Sequence, residues 1–135
     1  MNNNLEIGLK TTKKIKVDNR RTIGFMGEEG RVYSTPSMVE DIEYTCHEFL
    51  QQYLEEDENT VGTHISVDHL GPTVEGDTVE ITISLIGIEG QAIFMDAVVK
   101  DSLEEVGRGK HNRFVVDMNK TFERLKSKRD KVFGP

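Results

Sequence analysis

A change of hydrophobic period near residue 60 constrains the fold of this chain more than any other feature. Before that point apolar residues recur every three or four positions, and after it they alternate with polar residues. The first pattern is typical of an amphipathic helix, and the second of strands with one buried face. The sequence therefore predicts a helix followed by a sheet of antiparallel strands.

The predicted helix opens with Thr35-Pro36-Ser37 and runs to about Leu54. Proline suits the first helical turn, because its missing N–H would have no partner there. One apolar stripe is formed by Val39, Ile42, Cys46, Phe49, Leu50 and Tyr53. Acidic residues 55–58 end the predicted helix in solvent.

Strands are predicted on both sides of this helix. Before the helix, an edge-like strand is predicted at residues 5–17 and a loop at 18–34. After it, strands are predicted at 61–69, 79–85, 91–100 and 106–117, and a last helix at 119–131. Glu89-Gly90 is typical of a hairpin turn. This order predicts an α+β fold in which a curved antiparallel sheet wraps the long helix. The sheet would have open edges, which pairing of two copies would cover.

Length and composition narrow the class of protein. A chain of 135 residues favours one domain over residues 1–135. The net charge of −7 is opposite to that of proteins that coat nucleic acid. The sequence shows neither a membrane-length apolar run nor a secretory leader. Because Cys46 is the only cysteine, it has no internal disulfide partner, and we expect a cytoplasmic protein.

The charge is unevenly distributed along the chain. Residues 107–135 hold 9 basic and 3 acidic side chains, whereas residues 1–106 hold 8 and 21. Arg108, Lys110 and Arg113 begin the basic end, and strand alternation puts Arg113 on the face opposite the other two. These side chains either hold a small polyanionic ligand or are simply solvated.

Glu43 is an unusual residue of the predicted helix. Its helical neighbours Val39, Cys46 and Leu50 belong to the apolar stripe, whereas Asp41 is expected to point away from it. A carboxylate on a buried face needs a partner. Glu43 is therefore either a functional carboxylate or a boundary residue that reaches solvent.

His69 is unusual in the same way on the first strand after residue 60. Alternation puts it on one face with Val61, Thr63, Ile65 and Val67, and puts His64 on the other face. A histidine on an apolar face is often a satisfied core residue. Facing a glutamate across the seam between helix and sheet, it would form an acid/base pair.

Thr35 and Gly62 can each be interpreted in two ways. Thr35 caps the helix, or, if Ser37 caps it instead, the Thr35 hydroxyl is free to face a cleft. Gly62 is a turn glycine, or it lets a ligand approach the backbone. The sequence offers no metal-ligand set, because alternation separates His64 and Asp68 from His69.

Three segments in register resemble a known family. They are Ser34-Thr35-Pro36-Ser37-Met38-Val39 running on to Glu43, then residues 61–69, VGTHISVDH, then residues 107–113, GRGKHNR. In this order and spacing, over about residues 32–125, the chain resembles the fluoroacetyl-CoA thioesterase-like family of hotdog-fold proteins.

The resemblance implies a hotdog fold and a homodimer with active sites at the subunit interface. It implies an acyl-CoA thioesterase without metal or cofactor, with Thr35, Glu43 and His69 as catalytic residues. Gly62 would lie beside the acyl group, and Arg113 would bind substrate. Here Glu43 is expected to act as base or nucleophile and His69 to activate water or shuttle a proton.

Residues 25–33 depart from the family pattern. The fluoroacetyl-specific member has a lid with phenylalanines before its threonine, and this acidic, glycine-rich segment does not reproduce it. We therefore expect a general acyl-CoA as substrate, with Arg108 and Lys110 near the CoA phosphates. The alternative is a non-catalytic protein that binds acyl-CoA or another small ligand.

Overall fold

The computed structural model describes all residues, 1–135, and has the predicted order of elements. One strand precedes a long helix, four further strands follow it, and a second helix ends the chain. The elements are β1 (Lys10–Lys16), α1 (Thr35–Gln51), β2 (Glu58–His69), β3 (Thr78–Glu89), β4 (Ala92–Lys100), β5 (Glu105–Asp117) and α2 (Met118–Phe133).

The five strands form one antiparallel sheet in the order β1-β3-β4-β5-β2. Alternate residues of β3 and β4 point inward and are buried in one core together with residues of α1. The core contains Met38, Ile42, Cys46 and Leu50 from α1 and Val79, Ile81, Ile83, Leu85, Ile93, Met95, Ala97 and Val99 from the sheet. The predicted α+β hotdog architecture, a helix wrapped by a curved sheet, is confirmed.

Two predicted boundaries were too generous. The first strand covers only Lys10–Lys16, because the preceding residues form turns, although Leu5 among them reaches the core. Helix α1 ends at Gln51 because the next turn tightens: the N–H groups of Tyr53 and Leu54 donate to the carbonyls three residues earlier. Such i→i+3 bonds commonly end an α-helix.

The two edge strands differ in charge. β1 carries Lys10, Lys13, Lys14 and Lys16, whereas β2 contains no lysine. Lysines on an edge strand discourage pairing with another chain. The β2 edge lacks this protection.

β2 also contains a bulge that the predicted alternation did not include. Its register against β5 shifts between Gly62 and His64, which makes Thr63 an extra residue. The prediction that Val61 and Thr63 share a face with Ile65 is therefore wrong. Val61 lies on the outer face, where it is 44% exposed, whereas the buried Thr60 before the bulge lies on the inner face with the half-buried Ile65, Val67 and His69 after it.

Candidate functional site

Helix α1 is capped by the residue before Thr35. Ser34 is extended, with φ −83° and ψ 150°, and its Oγ accepts the Ser37 N–H at 3.1 Å. The expectation that Thr35 or Ser37 is the cap is therefore wrong. Because Ser34 satisfies the helix terminus, the exposed Thr35 hydroxyl is free for another partner.

That partner is His69. Thr35 Oγ1 lies 2.7 Å from His69 Nδ1, while His69 Nε2 is buried and has no hydrogen-bond partner. Burial lowers the pKa of His69, and the backbone of Gly71 opposes part of that shift. A neutral imidazole with one ring nitrogen held and the other unpartnered is suited to proton transfer.

A cluster formed by Tyr33, Asp41 and Arg21 packs against His69. The Tyr33 ring packs edge-on against His69, with centroids 6.4 Å apart. The Tyr33 hydroxyl donates to Asp41 Oδ2 at 2.6 Å, and Arg21 Nε donates to the same oxygen at 3.0 Å. Burial, together with the bond to Asp41, raises the pKa of Tyr33.

The sequence reading missed this cluster. Asp41 was expected to point away from the stripe, yet it is buried, because Arg21 and Tyr33 compensate its charge. The buried face of α1 is wider than the predicted stripe and includes Met38 and Thr45 next to Asp41. No spacing rule identifies the partners of Asp41 that arrive from the loop before α1.

Glu43 lies in a second region of the subunit. It is half-buried and lines a cavity of about 320 Å³. The other residues of the cavity wall are Gly62, Thr63, His64, Ile65 and His111. Glu43 lies eight positions after Thr35, which is about 12 Å along the helix axis. Within the chain Thr35 and His69 are in contact, whereas Glu43 forms no hydrogen bond to either.

Behind this cavity a buried histidine and arginine are hydrogen-bonded to each other. His111 Nδ1 lies 2.8 Å from the His64 carbonyl oxygen, and Arg113 Nη1 lies 3.0 Å from His111 Nε2. Arg113 also donates from Nε and Nη2 to the hydroxyl and carbonyl oxygens of Thr60, both at 2.8 Å. Three nitrogens of Arg113 thus have partners inside the subunit, and direct substrate binding by Arg113 stays a prediction.

His111 was not singled out from the sequence, although a signal was present. Strand alternation puts His111 on the same inward face as Arg113, and both are buried, at 1% and 6% exposure. A histidine and an arginine adjacent on a buried face need hydrogen-bond partners, and the sequence did not reveal which ones.

Gly62 provides space between Glu43 and this pair. It lies inside β2, so the reading as a turn glycine is wrong. A Cβ there would lie 3.2 Å from His111 Cε1 and 3.5 Å from Arg113 Nη1. The absent side chain leaves the cavity open toward the His111 ring.

Arg108 and Lys110 lie on the outer face of the sheet, opposite Arg113 as alternation predicted. They line a shallow cavity of about 280 Å³ with Asp68 and Asp96. Arg108 Nε donates to Glu105 at 2.7 Å, and Lys110 Nζ is 4.0 Å from Asp96. The subunit does not bring these two cations together with the Thr35–His69 pair.

Other chemistry receives little support. Burial raises the pKa of Cys46 to about 12, so its thiol stays protonated and is a poor nucleophile at neutral pH. The structure contains no group of three His, Cys, Asp or Glu side chains arranged to hold a metal ion.

Neither helix combines the length and hydropathy needed to cross a bilayer.

Comparison with known proteins gives a family match over most of the chain. A family model described as fluoroacetyl-CoA-specific thioesterase matches residues 17–119. The fluoroacetyl-CoA thioesterase of Streptantibioticus cattleyicolor is 28% identical over 135 residues, covering 95% of this chain and 97% of that protein.

Solved structures agree with the fold. A variant of the fluoroacetyl-CoA-specific thioesterase in complex with fluoroacetate and CoA superposes with a TM-score of 0.80 and 29% identity, over 87% of this chain and 99% of that one. A hot-dog-like protein from Thermanaerovibrio acidaminovorans superposes with a TM-score of 0.84 and 24% identity, over 90% and 91% of the two chains. The second match bears on the fold alone.

Proposed function

The chain belongs to the fluoroacetyl-CoA-specific thioesterase family, and from that premise we propose that it hydrolyses an acyl-CoA to a free acid and CoA with Thr35, Glu43 and His69. The observation that carries the proposal is the 2.7 Å contact between Thr35 Oγ1 and His69 Nδ1, with Nε2 left unpartnered. A buried polar atom without a partner is costly, which favours a role for Nε2 toward a ligand.

The proposed chemistry needs an attacking oxygen and a way to protonate the leaving group. As base, Glu43 takes a proton from the water that attacks the thioester carbonyl. As nucleophile, it forms a mixed anhydride that water then opens. In both routes the C–S bond breaks, and the CoA thiolate gains a proton. In the tautomer with the proton on Nδ1, His69 donates to Thr35 Oγ1 and presents a lone pair at Nε2, which can accept a proton from the attacking water and pass it to the thiolate.

Backbone groups beside Glu43 would stabilise the charge that develops on the carbonyl oxygen. The bulge at Gly62–His64 interrupts the regular ladder and lines the Glu43 cavity. Bulges commonly occur beside active sites, where they redirect backbone groups. Fixed N–H donors at such a position lower the barrier to acyl transfer.

We further propose a homodimer joined at the β2 edges. Two features support it: Glu43 lies apart from the Thr35–His69 pair within one subunit, and β2 is the edge strand without lysines.

Light scattering is expected to give about twice the subunit mass of 15.3 kDa. Val61→Lys on β2 should weaken the dimer, whereas Thr12→Lys on β1 should not. A monomer at micromolar concentration would contradict the shared site.

The remaining contacts with substrate are proposed from charge. Arg108 and Lys110, on the outer face of the sheet, would bind the CoA phosphates, and any contact by Arg113 would occur through the opening at Gly62. The buried free thiol of Cys46 is compatible with a reducing cytoplasm.

The decisive experiment is incubation of the protein with short, branched and aromatic acyl-CoAs, with released thiol measured over time. We expect turnover of at least one member of the panel, abolished by Glu43→Gln. Binding in calorimetry without thiol release would favour the non-catalytic alternative.

A further inference from the structure

We propose that His111 and Arg113 are positioning residues: they fix the His64 carbonyl and, through it, the bulged backbone that faces Glu43. This inference rests on the proposed function, because it treats the Glu43 cavity as the place where the thioester reacts. It gives both residues a role that needs no direct contact with substrate.

Donor and acceptor rules determine the state of His111. A guanidinium can only donate, so His111 Nε2, 3.0 Å from Arg113 Nη1, must accept. The ring is then neutral with its proton on Nδ1, and that N–H donates to the His64 carbonyl at 2.8 Å. A doubly protonated ring would set an N–H against the Arg113 N–H and lose one bond.

Arg113 is itself fixed from a third side. Two of its nitrogens donate to the hydroxyl and carbonyl oxygens of Thr60, so the guanidinium cannot rotate without losing hydrogen bonds in a buried site. A planar guanidinium held by several hydrogen bonds is a rigid anchor. The chain of contacts therefore runs from Thr60 through Arg113 and His111 to His64.

The bulge is the flexible part that this chain of contacts restrains. Thr63 is the extra residue of β2, and β2 is an edge strand with no neighbour on its other side within the subunit. The His111 ring lies against Gly62, where a Cβ would be only 3.2 Å away. His111 thus contacts the backbone on both sides of Thr63, and these peptide groups line the cavity with Glu43.

The surroundings of His111 keep it neutral near pH 7. The charged and titratable groups that face it are Arg113 on β5, His64 on β2 and Glu43 on α1. Burial is the largest effect and lowers the pKa of His111; the bond to the His64 carbonyl and the charge of Glu43 oppose part of that shift, whereas Arg113 adds to it. The neutral Nδ1–H form is the one that the hydrogen bonds require.

The kinetic test compares two substitutions of His111. The side-chain amide of glutamine can donate from its nitrogen and accept at its oxygen, so it can replace both bonds, whereas leucine can replace neither. We expect His111→Leu to lower kcat at least about tenfold with little change in KM, and His111→Gln to retain most of kcat, as for a residue that aligns reacting groups. Equal kcat values for the two variants would overturn the proposal.

A second variant covers the case in which His111→Leu fails to fold. Thr60→Val keeps the shape of the residue and removes one anchor of Arg113. Its kcat should fall several-fold, with the melting temperature still measurable. An unchanged kcat in folded Thr60→Val would count against the proposed chain of contacts.

An NMR experiment on the intact protein separates this proposal from the proposed function. Ring ¹⁵N shifts should identify a neutral Nδ1–H tautomer of His111 at pH 7. The amide resonance of Thr63 should shift strongly in His111→Leu and little in His111→Gln. If no acyl-CoA is hydrolysed, these shifts still decide whether His111 positions the bulge. A protonated Nε2, or an unmoved Thr63 amide, would refute it.

Discussion

The N-terminus of α1 and the middle of the same helix are organised differently. At the N-terminus Thr35 and His69 already contact each other, and Tyr33 and Asp41 support them from behind. Two turns later Glu43 faces a cavity and forms no hydrogen bond, although the backbone opposite it is held by buried side chains.

The difference indicates which parts of the site depend on the subunit alone. The Thr35–His69 pair is complete before any ligand arrives, so its geometry is set by the fold of one chain. Glu43 has room for a ligand or for a group from a second subunit. Substitutions in both regions should therefore lower kcat together only if the two regions act on the same thioester.

The largest effect is expected at the two residues that would perform proton transfer. Glu43→Gln and His69→Ala should each lower kcat by roughly 10²-fold or more, the scale for loss of positioned acid–base chemistry. Glu43→Gln keeps the side-chain shape, so the melting temperature should hold. Glu40→Gln, an exposed carboxylate on the same helix, is the matched control. Full activity of Glu43→Gln would contradict the proposal that the two regions act on the same thioester.

A smaller effect separates Thr35 from the cap beside it. Thr35→Ala should lower kcat about tenfold and Thr35→Ser should change it little, because only the hydroxyl is required. Ser34→Ala should instead cost about 1 kcal/mol of the free energy of unfolding by removing the helix cap. If Thr35→Ala lowers the melting temperature and leaves kcat intact, the hydroxyl at this position is structural.

The outer face of the sheet should affect binding and not chemistry. Arg108→Ala and Lys110→Ala are expected to raise KM several-fold for acyl-CoA with nearly constant kcat, since a phosphate contact is shared by ground and transition states. Added salt should raise the wild-type KM in the same direction. Lys126→Ala on α2 is the control cation. A KM that is unchanged in both variants would remove this face from the site.

The smallest effect is a dependence of stability on pH. Burial lowers the pKa values of His69 and His111 below the ordinary 6.5. Between those lowered values and 6.5 the unfolded chain binds more protons than the folded one, so stability falls as pH falls through this window. Chemical denaturation at pH 7 and pH 5 should show the loss, and His111→Gln should reduce it. Equal stability at both pH values in the wild type would contradict the neutral state of both rings.

The fold could be predicted because hydrophobic period depends only on neighbouring residues. The change near residue 60 predicted α1 and the strands after it in the correct order, although α1 ends at Gln51, before the predicted boundary. That order implied the sheet. The bulge at Thr63 could not be read this way, since one extra residue reverses the face of every residue before it. That is why Val61 was assigned to the wrong face.

The site was only partly accessible to sequence reasoning. Thr35 and His69 were singled out by pattern and resemblance, and they contact each other. The cap was misassigned because Ser34, Thr35 and Ser37 are all suitable capping residues, and local preference does not rank them. Asp41 depends on Arg21, whose approach is a tertiary contact.

The lysines of β1 have a consequence for how large an assembly of this chain can become. A pairing of two β2 edges is symmetric, so it uses the same edge on both copies and leaves neither free. The only strands still open would be the two outer β1 strands, one at each end of a ten-stranded sheet, and each carries four positive charges. Further copies would have to bring like charges together. In the proposed dimer, growth by strand addition would therefore stop at two subunits, and the like charges on the unused edge would protect the chain from forming fibres.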